Sequence, residues 1–142
     1  MSFLDEIKRE FNVEEVDIRT YSPLTLAFIG DGVFDLIIRS IIVGRSNKQT
    51  DKLHKAKADI VKAQTQAQLA AVIMDDLTEE ERGYYKRGRN AHSYSSAKNA
   101  SIADYRKATG FEALMGFLYL TGQGERMLEL TKIGLERLGK EI

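Results

Sequence analysis

One stretch constrains this chain more than any other. From Leu24 to about Val43 nearly every position is apolar: Leu24, Leu26, Phe28, Ile29, Val33, Phe34, Leu36, Ile37, Ile38, Ile41 and Ile42. The spacing predicts a helix that is hydrophobic almost all round, which places it in the centre of a core or in an interface. Its longest apolar run, Leu36 to Val43, is broken by Arg39 and Ser40, so it does not span a membrane. The polar exceptions align, because Ala27, Asp31 and Asp35 follow i, i+4 spacing and share a face. Asp31 sits in the middle of this apolar helix. A buried, unpaired carboxylate is costly and normally neutralises, pairs or binds a metal. Three accounts of Asp31 are open: a metal site, an internal salt bridge, or a cap after a break at Gly30. Asp35 reads as a surface or dimer-edge residue.

The rest of the chain carries helical signals and no β-alternation of any length, with Pro23 as its single proline, so the fold class is all-α. Residues 4–11 suggest a short acidic helix and 12–22 a loop. Gly44 reads as the stop of the long apolar helix, and Thr50 or Asp51 as the cap of the next. That next helix is expected from about 51 to 74. Its stripe is Leu53, Ala56, Ile60, Ala63, Ala67, Ala70 and Ile73, with lysines and glutamines on a solvent face. Thr78 and Glu81 have capping-box spacing and open a helix to about Arg87. Residues 88–101 lack periodicity and read as a long loop of the functional kind. Ser101 and Asp104 suggest a cap for a helix to about Thr121, with a bend at Gly110 as an option. A turn at Gly122 and Gly124 leads into a last helix over about 125–140.

With 142 residues the chain makes one domain and can bury a core without disulfides or structural metal. It has no cysteine, which excludes a thiolate nucleophile, a Cys zinc site and an iron–sulfur cluster. The start, MSFLDEIKREF, lacks a signal peptide's pattern, and the expected location is the cytoplasm. Net charge is zero, yet the distribution is uneven. Residues 1–17 carry −4, whereas residues 39–62 and 86–107 carry +5 each. Such asymmetry permits a local polyanion-binding face on a neutral chain.

The chemistry rests on few residues. Glu112 lies in the apolar run TGFEALMGFLYL, where Thr109 and Glu112 also have capping-box spacing. Two carboxylates on two helices suit Mg²⁺, which commonly takes one or two carboxylates and completes its shell with water and substrate phosphate. That arrangement supports phosphodiester hydrolysis. His54 and His92 are not placed together by any pattern, so a two-His metal site is not expected. YYKRGRNAHSYSSAKN combines cations, amides and hydroxyls, groups that suit phosphate and 2′-hydroxyl contacts to double-stranded RNA.

These pieces converge on a resemblance. LAFIGDGVFD, residues 26–35, resembles the signature helix of ribonuclease III domains, and FEALMGFLYL, residues 111–120, resembles their second motif. LHKAKADIVKAQTQAQ, YYKRGRNAHS with the following KN, and YRKATGFEALMG are similar to the short Mini-III branch of that family. The resemblance spans about residues 22–135. It implies a homodimeric ribonuclease III endonuclease-domain fold over 21–142, without a double-stranded RNA-binding domain, after a short acidic extension over 1–20.

The resemblance also implies roles. Asp31 and Glu112 become the catalytic, Mg²⁺-binding pair. Lys86, Arg87, Arg89, Asn90, Lys98 and Asn99 become RNA contacts, and Phe28 packs across the dimer interface. Larger family members have a Glu where this chain has Ala27 and an Asp where it has Thr109, departures that the Mini-III branch shares. The implied activity is Mg²⁺-dependent cleavage of double-stranded RNA to 5′-phosphate and 3′-hydroxyl ends. The implied substrate is the precursor of 23S ribosomal RNA, with a ribosomal protein or precursor particle as a further partner and no membrane. The alternative from another class is a non-catalytic RNA- or ribosome-binding module on the same fold.

Overall fold

A computed structural model describes residues 2–91 and 101–142. Among these residues the chain forms seven helices and no strand: α1 (Phe3–Glu10), α2 (Pro23–Arg45), α3 (Thr50–Val61), α4 (Ala63–Ile73), α5 (Glu79–Asn90), α6 (Ile102–Leu120) and α7 (Gly124–Arg137). Single 3-10 turns lie at Ile18–Thr20 and Met74–Asp76.

Local chemistry sets most helix starts. The Ser22 hydroxyl accepts from the Thr25 N–H, and Pro23 occupies the first turn, where its missing donor costs nothing. Thr78 and Glu81 form the reciprocal capping box that their spacing predicts. Ser101 caps α6 through the Asp104 N–H. The expected cap at Thr50 or Asp51 is not made, because Gln49 stands at that position and gives no side-chain cap bond. Gly44 does not stop α2 either, since the helix runs on to Arg45.

The helix expected over 51–74 is two helices. The chain turns at Lys62, whose backbone is extended (φ −64°, ψ 154°). Two side chains take the carbonyls around the break. Thr65 Oγ1 donates to Asp59 O at 2.6 Å and Gln66 Nε2 donates to Val61 O at 2.7 Å. Both residues are therefore buried, and Gln66 is not on the solvent face to which composition assigns it.

The central element is α6 rather than α2. From Ala108 to Leu118 every α6 residue except Glu112 is buried. Against it α2 buries Leu26, Ala27, Gly30, Phe34, Ile38 and Ile42. Phe34 meets Phe111 edge to face, with centroids 5.0 Å apart, and Tyr84 of α5 stacks on Phe117 at 3.9 Å. α7 is tied to α5 by buried Glu81, whose carboxylate accepts from Arg126 Nε and Nη2, each at 2.9 Å. The opposite side of α2 stays open: Leu24, Phe28, Leu36 and Val43 are exposed. Among the described residues no helix is long and apolar enough to cross a membrane.

Candidate active site

Two carboxylates meet where α2 crosses α6. The helices touch backbone to backbone, and glycine permits it on both sides. A Cβ on Gly116 would lie 2.0 Å from the carbonyl oxygen of Leu26, and Gly30 is pressed equally hard against α6. Asp31 follows Gly30, and Glu112 lies one turn before Gly116. The crossing thus brings their carboxyl groups into hydrogen-bonding contact. Asp31 is exposed and Glu112 half-buried. Burial, and next the adjacent Asp31, push the Glu112 acid up to about 9, while donation from the Gln66 side chain opposes them.

The structure removes the capping readings of these two residues. α2 runs unbroken through Gly30, so Asp31 is not a cap. α6 runs unbroken through Gly110, and Thr109 Oγ1 donates to Tyr105 O at 3.0 Å, so Thr109 and Glu112 form no capping box. Among the described residues no cation pairs with Asp31 or Glu112. Asp35 is different, because its carboxylate meets Arg39 at 2.5 Å and Lys57 at 3.2 Å. Burial alone would raise its acid, but these two cations hold it below the usual range. Asp35 is thus spent on a surface ion pair, whereas Asp31 and Glu112 face each other without an offsetting charge.

That pair suits a hard divalent cation. Two acidic oxygens in contact oppose each other's ionisation, and a dication between them removes the opposition. Among the described residues no group of three or more His, Asp or Glu gathers, so two carboxylates are the acidic donor set. That set fits Mg²⁺, which needs only one or two carboxylates and keeps several waters. Ala27 and Thr109 are buried against the core.

Gln66 is the residue that composition did not reveal. It is 2% exposed, and its side chain opposes the rise of the Glu112 acid. The available signal was its place in α4 between Ala63 and Ala70, on the same stripe as Ile73.

Cations line the end of α5. Gly88 lies against Ala113 and Gly110, which seats this turn on the stretch of α6 that carries Glu112. Lys86, Arg87 and Asn90 are exposed there and Arg89 partly so. Arg89 and Asn90 are helical, not in the loop expected over 88–101. The Arg87 guanidinium lies 4.2 Å from the Tyr84 ring centroid, and Arg89 lies 5.7 Å from that of Tyr85. Arg89 Nε also donates to Asn90 Oδ1 at 3.2 Å. Lys98, Asn99 and His92 fall outside the described residues. His54 lines a small hollow with Arg39 and Lys57, away from the carboxylate pair. Phe28 is 80% exposed on the open side of α2.

Comparison with known proteins adds independent findings. Residues 24–123 match the Ribonuclease III domain family. The Mini-ribonuclease 3 of Clostridium tetani is 48% identical over 119 residues, covering 82% of this chain and 78% of that one. The Mini-ribonuclease 3 of Enterococcus faecalis is 41% identical over 126 residues, covering 87% and 96%. A crystal structure of a Fusobacterium nucleatum protein superposes with a TM-score of 0.79 at 30% identity, covering 86% of this chain and 99% of that one.

Proposed function

The chain belongs to the ribonuclease III family, in its Mini-ribonuclease 3 branch, and is an endoribonuclease; from this premise we propose that Asp31 and Glu112 are the residues with which it cuts double-stranded RNA. The observation that carries the proposal is the contact of these two carboxyl groups at a helix crossing, with no cation of the described chain to offset them.

Asp31 and Glu112 would hold Mg²⁺, which when bound supplies an activated water and offsets charge developing on the phosphate. Asp31 is exposed and faces an incoming backbone. Glu112 is half-buried and fixed on the central helix. Lys86, Arg87, Arg89 and Asn90 offer donors to phosphates and 2′-hydroxyls, and the resemblance assigns the same role to Lys98 and Asn99. Water attacks phosphorus in line and the 3′ oxygen leaves, which yields 5′-phosphate and 3′-hydroxyl ends. The site belongs to a domain over 21–142, with residues 1–20 as an acidic extension.

Cutting both strands requires two sites. Phe28, Leu24 and Leu36 form an exposed apolar side on α2 and support a homodimer with one carboxylate pair per protomer. By analogy with the branch, the natural substrate is the paired end region of precursor 23S ribosomal RNA, in the cytoplasm, with a ribosomal protein or precursor particle assisting. One experiment tests the assignment of the site. Purified protein and Asp31→Asn are incubated with a perfect RNA duplex in Mg²⁺ or EDTA. Cleavage that needs Mg²⁺, and falls by about 10²–10³-fold in D31N, supports the reading. Full activity of D31N refutes the assignment of the site.

A further inference from the structure

Two consecutive tyrosines bind the cationic end of α5 to α6. Tyr84 and Tyr85 are both buried, at 5% and 4% exposure. Tyr84 lies almost flat on Phe117, with 14° between the ring planes, and the Arg87 guanidinium stands over the same Tyr84 ring. Tyr85 is pressed against Gly110, where a Cβ would come within 2.9 Å of its ring, and Arg89 stands over Tyr85. Each arginine has a second tether. Arg87 Nε donates to Gly83 O at 3.3 Å, and Arg89 Nε donates to Asn90 Oδ1 at 3.2 Å. Both bonds use Nε, so the terminal nitrogens that grip a phosphate as a fork are not the atoms they occupy.

A ring face attracts a guanidinium without neutralising it. Two arginines held in this way have given up rotamer freedom before RNA arrives, so less is lost on binding. The anchors matter as much as the rings. Gly110 and Phe117 lie on α6, two residues before Glu112 and five residues after it. Both guanidinium groups are thereby indexed to the helix that carries Glu112. We propose that Tyr84 and Tyr85 are positioning residues. They hold Arg87 and Arg89 at a fixed offset from the Asp31–Glu112 pair, so the phosphates gripped by α5 set which phosphodiester is cut. This inference rests on the reading of Asp31 and Glu112 as the cutting pair and of Arg87 and Arg89 as RNA contacts.

The test measures binding of an RNA duplex in Ca²⁺ and the cut positions on an end-labelled duplex in Mg²⁺. Tyr84→Leu and Tyr85→Leu remove the rings, Tyr84→Phe keeps one, and each variant is first checked for native circular dichroism. The expected result is an affinity lower by about two- to fivefold in Y84L and in Y85L, and unchanged in Y84F. Y84L should add nothing to Arg87→Ala, because its effect passes through Arg87. The cuts that the wild type prefers should spread to neighbouring phosphodiesters in the two Leu variants. Equal factors for Y84L with and without R87A, or unshifted cuts in folded Y84L and Y85L, overturn the proposal and leave the tyrosines as core packing. If a Leu variant does not fold, the wild type decides. The ¹⁵Nε heteronuclear NOE of Arg87 and Arg89 in the RNA-free protein should equal that of the helix backbone. Values as low as that of the exposed Arg106 overturn the proposal. The underlying readings fail separately. Wild-type binding by the combined Arg87→Ala and Arg89→Ala variant would remove the RNA contacts, and full activity of D31N would remove the cutting pair.

Discussion

A methyl group on Gly30 would lie 1.8 Å from the carbonyl oxygen of Glu112. That one relationship ties the signature of α2 to the motif of α6. It requires glycine at 30 because the obstacle is backbone, which cannot swing aside. It also places residue 31 beside the side chain of residue 112, so the packing of the core and the geometry of the site are a single feature.

Gly30→Ala should therefore force α2 and α6 apart. Overpacking of this kind costs about 3 kcal/mol, which for a domain of this size lowers Tm by roughly 10 °C. Cleavage should fall with it, as the carboxyl groups separate. A G30A protein with wild-type Tm in differential scanning calorimetry would contradict the close crossing.

Glu112 makes stability depend on pH when metal is absent. Its acid is pushed up to about 9 from an ordinary value of 4.5, so between these limits the folded chain binds more protons than the unfolded chain. Stability contributed by the protonated group is complete below about 4.5 and is lost as pH rises through about 9. In EDTA, urea midpoints should decline across that window, and Glu112→Gln should flatten the decline. An E112Q profile that falls as steeply as the wild type would assign the effect to another group.

The α5 cations make a salt-dependent prediction. Replacing Arg87 and Arg89 with Ala removes two phosphate contacts, each expected to contribute about 0.7–0.9 to the slope of log affinity against log salt. Binding of a duplex in Ca²⁺ should weaken, with a slope shallower by about 1.4–1.8. An unchanged slope would mean that RNA runs elsewhere. Arg87 is stacked on Tyr84, so Tyr84→Leu should weaken binding less than the arginine changes do while leaving the slope intact.

Phe28 tests the assembly. At 80% exposure it adds little to its own protomer's core, so Phe28→Asp should keep native circular dichroism and Tm in dilute solution. Sedimentation of the wild type at micromolar concentration should give a dimer and that of F28D a monomer. A monomeric wild type would remove the two-cut scheme.

The reach of the sequence differs from element to element. The long apolar helix, the Thr78–Glu81 capping box and the absence of alternation were readable because they depend on neighbours three or four residues apart. Asp31 and Glu112 stood out because a carboxylate in an apolar run requires an explanation. The break at Lys62 was not readable. Lysine is a good helix former, and the chain turns there because Thr65 and Gln66 take Asp59 O and Val61 O in a folded neighbourhood. For the same reason Gln66 looked like one more solvent-facing residue, although it is buried.

The sequence by itself determined which segments become helices, because capping, periodicity and propensity act within a few residues. It also marked the family, through motifs that keep their spacing. Only the tertiary structure decided that α6 rather than α2 fills the centre, that Asp35 is neutralised by Arg39 and Lys57 while Asp31 has no such partner among the described residues, and that Gln66 is buried. Those outcomes depend on which helix faces meet, and that is set by close packing among residues far apart in the chain, where two glycines allow the backbones to touch.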